Sequence, residues 1–352
     1  MLSRLHAHHP LRLFFVSGCI TILTFATVFV LLGWQAALVA LMLTIIELTF
    51  SFDNAIINAR VLTKMSPFWQ KMFMTLGILI AVFGMRVVFP IVIVMASSGL
   101  GWGHVINLAL HQPDLYAQTL QKAHPSIASF GGMFLLMLTL HFFFDSTRSI
   151  RWLEKIERPL QSIGRKWLHA LVCVAILMII VVLPFNHHPS ETLAAGLVGI
   201  AIYVAIHGLS DYFTKKQERL EKSTARKVAM AGLASFLYLE VLDASFSFDG
   251  VIGAFAVTND VMLIAVGLGV GALWVRSLTL FIVHRKVLAT YRYLEHGAHY
   301  VIGALALTLL AGLFYEIPEA VAGLLGVIVI IFSIISSVRY NNRHSDAHDK
   351  LV

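Results

Sequence analysis

Glu47-Leu-Thr-Phe-Ser-Phe-Asp53-Asn-Ala-Ile-Ile-Asn58 recurs, 196 positions further along the chain, as Asp243-Ala-Ser-Phe-Ser-Phe-Asp249-Gly-Val-Ile-Gly-Ala254. Both copies set two carboxylates six residues apart inside apolar sequence. An ionisable side chain at the centre of a membrane helix costs about 2.5 kcal/mol or more, and it marks a functional site when it is kept there. Two copies in one chain point to one site assembled from two halves.

The sequence around the motifs is that of a bilayer protein. The 352 residues are 58% hydrophobic and 13% charged, with a mean hydropathy of +0.82, outside the range of soluble domains. The formal charge of +7 comes from short basic clusters between apolar runs. That is the pattern of cytoplasmic loops, and no nucleic-acid partner is expected. Cys19 and Cys173 both sit within apolar runs and carry no redox information.

A window of about 20 apolar residues marks ten candidate spans, near 13–33, 37–60, 72–97, 128–145, 168–184, 192–213, 228–257, 261–283, 298–315 and 319–338. The first reads as a retained helix and not a cleaved signal, because no small-residue cleavage site precedes Trp34. With the N-terminus cytoplasmic, 23 of the 26 Lys and Arg residues fall inside; Lys122 falls outside, and Arg86 and Arg276 lie within spans. Both termini are therefore expected in the cytoplasm.

This orientation sends the first motif from outside to inside and the second from inside to outside. Gly77 and Arg86 on the span after the first motif recur, 190 positions on, as Gly267 and Arg276 on the span after the second. The expected fold is an all-α integral membrane protein of about ten helices in an inverted 5 + 5 repeat, a plan used by secondary transporters. Residues 1–190 would form the first half, 191–338 the second, and 339–352 a polar cytoplasmic tail. The stretch 98–127 is expected as an outer loop acting as a partly ordered lid. Residues 148–166 are expected as an interfacial amphipathic segment.

On an ideal helix Glu47, Ser51, Asn54 and Asn58 share one stripe, as do Glu240, Asp243, Ser247 and Gly250. Asp53 and Asp249 lie about 120° away. They join the seam only if they meet a neighbouring helix, or if the helices open near 51–54 and 247–250. Carboxylate, amide and backbone oxygens suit Mg²⁺, Ca²⁺ or Mn²⁺, whereas Cu(I) and zinc favour sulfur or imidazole. The alternative is structural: the acids are protonated, or they pair with Arg86 and Arg276 to hold helices together. At least five acids face two arginines, and that excess calls for a cation or protons. His141 with Asp145, and His207 with Asp211, stand at i, i+4. Either pair could relay protons or terminate a helix.

No Walker motif, nucleophile elbow, His-Glu-x-x-His or nucleotide fingerprint is present. No enzyme activity and no resident cofactor are expected. From Glu47, Ser51-Phe-Asp53-Asn54, Glu240-x-x-Asp243, Ser247-Phe-Asp249, Gly77 and Arg86, the chain resembles the TerC-like proteins of the LysE transporter superfamily, most closely the branch called domain of unknown function 475. The resemblance covers about 35–338, although Gly250 stands where the first copy has Asn54 and the spans outnumber those of smaller relatives. It implies an inner-membrane protein of metal-ion homeostasis, with manganese efflux the best-supported activity and tellurite resistance the older association.

The expected function is export of a divalent cation, Mn²⁺ first, coupled to protons. Glu47, Asp53, Asn54, Asp243 and Asp249 are the expected ligands, with Asn58, Glu240, Ser51, Ser247, Arg86 and Arg276 in support. The rivals are export of an amino acid or oxyanion, with the arginines touching substrate, and a scaffold without transport that acts in metal or tellurite stress.

Overall fold

The computed structural model describes residues 10–164, 167–218, 225–315, 317 and 319–349, and among these every regular element is helical. Among the described residues seven helices are long and apolar enough to cross a membrane, or eight if the bent pair Glu154–Ile163 and Leu168–Val182 is one span. The difference from ten has three sources. The first two expected spans merge into α1 (Pro10–Phe50). Leu168–Val182, at 15 residues, is too short alone. Ala225–Val257 contains the three acids of the second motif region, and it is not among the seven.

Helix α1 doubles back at Gly33, whose φ of 85° and ψ of 177° belong to glycine alone. Its direction is read against the helix Val261–His284. In the first arm Phe14 lies 6.0 Å from Phe281, Ser17 bonds Ser277 at 2.7 Å, and Thr21 accepts from Trp274 at 2.9 Å. Partner numbers fall as the arm advances. In the second arm Thr44 donates to the Gly267 carbonyl at 2.9 Å and Glu47 abuts Gly271, so partner numbers rise. The arms are about 35 Å and 25 Å long at 1.5 Å per residue, each near the thickness of a hydrocarbon core.

After α1 come α2 (Phe52–Leu62), α3 (Pro67–Ala96), α4 (Trp102–His111) and α5 (Pro113–Lys122). Then follow α6 (His124–Phe144), α7 (Glu154–Ile163), α8 (Leu168–Val182), α9 (Pro189–Glu218), α10 (Ala225–Val257), α11 (Val261–His284), α12 (Leu294–Ala311) and α13 (Glu319–Asp349). They form two compact units, Met1–Ile127 with Val204–His284, and Ala128–Tyr203 with Arg285–Val352. Each unit draws on both sides of position 190, so the packing units are not the sequence halves.

In the first unit α4 and α5 replace the expected lid loop. Their Val105, Leu108, Tyr116 and Leu120 are buried in one cluster with Leu43, Val251, Ala254, Ile264 and Leu268. Apolar residues at helical spacing on either side of Gln112-Pro113 account for the order. The second arm of α1 approaches α11 closely along Gly267-x-x-x-Gly271. Small residues at that spacing let two membrane helices meet backbone to backbone.

In the second unit α7 turns its polar side inward. Glu157 is buried, accepts from the amides of Trp152 and Leu153 at 3.1 and 3.2 Å, and lies 3.0 Å from His296 Nδ1. Ile156 and Ile163 stay exposed. The helix is amphipathic as expected, and its polar anchor is the part the expectation lacked. Helix α13 runs through most of the expected polar tail, with neither Gly nor Pro in 339–349 to stop it.

A methyl at Gly271 would lie 2.6 Å from Cβ and Cγ of Glu47, whereas one at Gly269 would meet a Val82 methyl at 3.2 Å. Gly271→Ala is therefore expected to destabilise by about 1–3 kcal/mol, and Gly269→Ala by less. Melting of the detergent-purified variants checks the order; equal melting temperatures would contradict the close approach.

Candidate cation site between the repeated motifs

Four elements of the first unit position the site. The second arm of α1 ends at Phe50, Ser51 departs from helical geometry at φ −97° and ψ 15°, and α2 begins at Phe52. The opening expected near 51–54 is therefore present in the first copy. In the second copy α10 runs unbroken through 247–250, which corrects the expectation there. The reason lies at Gly250: a Cβ at that position would come within 3.3 Å of Glu47 Oε2. The missing side chain makes room for a carboxylate from the other motif and is not used to bend the helix.

Each motif's first acid meets the arginine of the following span. Glu47 forms a buried ion pair with Arg86 and accepts from Ser51 Oγ at 3.0 Å. Asp243 accepts from Arg276 at 2.9 Å and from Asn54 Nδ2 at 2.6 Å, the second bond joining the two motifs directly. Glu240 stands 3.7 Å from Arg276, with neither carboxylate oxygen hydrogen-bonded. Arg276 also lies over the Phe73 ring at 3.8 Å, a cation–π contact. Arg86 reaches back to the Ala81 carbonyl at 2.6 Å.

Both arginine partners lean on α3, where Phe73–Gly77 and Ile80–Val88 are π-helical. Such i→i+5 turns are rare overall and frequent at functional sites. Gly77 lies in the first of them, where an added methyl would stand 2.7 Å from Glu240 Oε1 and 3.2 Å from an Arg276 nitrogen.

Contacts fix the register of the motif helices. Glu47 faces Gly250, Asn54 bonds Asp243, and Leu62 packs with Phe236 and Leu239. Numbers rise on one helix as they fall on the other, so α1–α2 and α10 cross antiparallel. The same register sets Ser51 near Ser247 and Asn58 near Glu240. Asn58 is fully buried with both side-chain polar atoms unpartnered, as are Asn54 Oδ1 and Ser247 Oγ.

Of the expected ligands, Glu47, Asn54 and Asp243 share this seam. Asp53 is buried in the first turn of α2, with the backbone amides of Asp53 and Asn54 facing its carboxylate. The side chain of Asp249 lies outside the described residues, and so does that of Asp211. His207 lies 6.0 Å from the Tyr238 ring. In the second unit His141 lies 4.8 Å from His169. Asp145 accepts from the Thr147 amide and hydroxyl at 2.9 and 2.6 Å and pairs with Arg148 at 3.6 Å. Partial burial opposes its charge, but the Thr147 bonds and Arg148 outweigh it and hold the carboxyl below its ordinary range.

Sequence reasoning missed Phe73 and Thr44. Neither had a signal of its own, although the glycines at 267 and 271 marked a close helix approach. Among the described residues no group of three His, Cys, Asp or Glu converges as a metal cage. Oxygen donors here include amides and hydroxyls, which such a group does not count.

The fold and site define a polytopic α-helical membrane protein with a charged seam built from two related motifs. The chain belongs to the family described as "Protein of unknown function (DUF475)", which matches residues 52–344. It is also similar to the uncharacterized membrane protein YceF of Bacillus subtilis (strain 168), at 28% identity over 119 residues. That match covers 33% of this chain and 44% of the relative, so the chain spans less than half of that protein. No solved structure matches.

Removing one partner of a buried ion pair costs about 3–5 kcal/mol, whereas replacing both by apolar groups is often neutral. Glu47→Gln is expected to destabilise more than Asp243→Asn, because Arg276 keeps Glu240 nearby and, among the described residues, Arg86 keeps no other acid in contact. Adding Arg86→Met to Glu47→Gln should recover much of the loss. Melting curves of the three variants check this, and an inverted order would contradict the pairing.

Proposed function

We propose that this protein is a secondary transporter that exports a divalent metal cation, Mn²⁺ first, in exchange for protons. The observation that carries the reading is a charge count. Among the described residues of the first unit, Glu47, Asp53, Glu240 and Asp243 are buried against only two buried cations, Arg86 and Arg276. Two carboxylates remain in excess, the charge that one divalent cation cancels. The free donors are oxygens, the ligand type that Mg²⁺, Ca²⁺ and Mn²⁺ prefer.

An inverted repeat fits the same contacts. Both arginine pairs join a motif to its next span, and Gly77 approaches α10 as Gly267 approaches α1. We assign the chain to the TerC-like branch of the LysE superfamily on its motifs. Its place is the bacterial inner membrane, with both termini cytoplasmic. Protons from the more acidic outer side would weaken metal binding there and favour release. An anionic substrate is less well supported, since both guanidinium groups are already held by carboxylates.

Cellular manganese in a strain lacking the protein tests the reading. The wild-type copy is expected to lower it, and Asp53→Asn or Asp249→Asn copies are expected to fail. Full rescue by both variants would remove the site. No metal flux in proteoliposomes under any gradient, with the stress phenotype intact, would leave a scaffold.

A further inference from the structure

The seam is not symmetric end to end. Applying the 196-residue offset, Glu240 corresponds to Thr44 and Asn58 to Ala254. Thr44 is satisfied by the Ala40 and Gly267 carbonyls, and Ala254 belongs to the apolar cluster under α4 and α5. At the opposite end the same two positions hold a carboxylate and an amide. Lys64 and Arg60 follow directly on that end of α2, which makes it the cytoplasmic end on the orientation given by the Lys/Arg distribution.

Five of the seam's unpartnered atoms lie there, the others among the described residues being Ser247 Oγ, Arg86 Nε and Arg276 Nη1. Asn54 Oδ1, both polar atoms of Asn58 and both oxygens of Glu240 are buried without a hydrogen bond. Asn54 lies one turn from Asn58, and Asn58 falls between the Asn54–Asp243 bond and the packing of Leu62 on Phe236 and Leu239. That interval on α10 contains Glu240. Buried polar groups without partners are rare and call for a specific explanation, an ion among them. Arg276 at 3.7 Å is bonded instead to Asp243, and the missing side chain of Gly77 lets Glu240 Oε1 and an Arg276 nitrogen sit against α3.

We infer that Glu240, Asn58 and Asn54 form a cation-loading station for a hard divalent ion, one helical turn to the cytoplasmic side of the arginine-paired carboxylates. One carboxylate and two amide oxygens supply a site of low charge that can both take and release its ion. Glu47 and Asp243, held by Arg86 and Arg276, are then not the first ligands met from the cytoplasm. The inference rests on the transporter reading and adds where the ion enters.

Mn²⁺ titration of the full-length purified protein, followed by the electron paramagnetic resonance signal of free Mn²⁺, tests it. Glu240→Gln is expected to weaken binding about tenfold or more. Asn58→Asp placed in the Glu240→Gln background returns the lost charge to the opposite helix and is expected to restore binding. A purely structural role for Glu240 predicts no such restoration. If the wild type binds Mn²⁺ and Glu240→Gln binds it equally well, the station is wrong and the transporter reading survives. The station is also wrong if the double variant melts like the wild type yet stays as weak as Glu240→Gln. If the wild type binds no divalent ion, the transporter reading itself falls.

Discussion

A carboxylate carried into a hydrocarbon slab must meet an opposite charge, bind a cation or give up its own charge. Glu47 meets Arg86, 39 residues on, and Asp243 meets Arg276, 33 residues on. Of the six-residue difference, only one residue lies in the connectors 63–66 and 258–260 and four lie in the longer run of α3 before Arg86, where the π-helical turns stand. These pairs set how the first unit packs, because each guanidinium must reach its acid across a helix boundary with little water to spare. The second arm of α1 and α3 both pack on α11, and α10 lies beside α3 and α11, so each pair reaches across that packing. The Asn54–Asp243 bond draws the two motifs together.

Close approach is the second constraint, and glycine supplies it. Gly267 and Gly271 admit the backbone of α1, Gly77 admits the Glu240 carboxylate, and Gly250 admits that of Glu47. Without these gaps the acids could not turn inward without larger residues being displaced. The π-helical turns of α3 belong to the same accommodation, since they place Gly77 against α10 while Arg86 still reaches Glu47.

Much of this is legible in the amino-acid sequence. The repeat of acid, glycine and arginine identifies the partners, and the polar stripe of Glu47, Ser51, Asn54 and Asn58 names one side of the seam. What stays hidden depends on the space between helices. Periodicity shows which way a side chain leaves its own helix, but not what fills the gap opposite, so Gly250 reads as a weak point in α10 when it is a recess for Glu47. The turn at Gly33 falls where the expected spans 13–33 and 37–60 part, and what stays hidden is its tightness: one glycine at φ 85° reverses the chain with no loop of polar residues. The helices of 98–127 are obscured by Gly, Pro and His, although Val105, Leu108, Tyr116 and Leu120 carry the apolar spacing that buries them.

The departures from repeat symmetry are more informative than the symmetry. Where the copies agree, as at the two acid–arginine pairs, the shared residues satisfy a demand that both halves face equally. Where they differ, one copy has been released from that demand. Asn54 supports Asp243 with an amide, while its counterpart Gly250 leaves Glu47 to Ser51 and Arg86. Thr44 spends its hydroxyl on backbone carbonyls of a tight helix contact, while its counterpart Glu240 carries a carboxyl group with no hydrogen bond. A fold held by two equivalent ion pairs needs neither difference for stability. Both differences place oxygen donors on one side of the pairs, so the seam has a direction that the repeat alone would not give it.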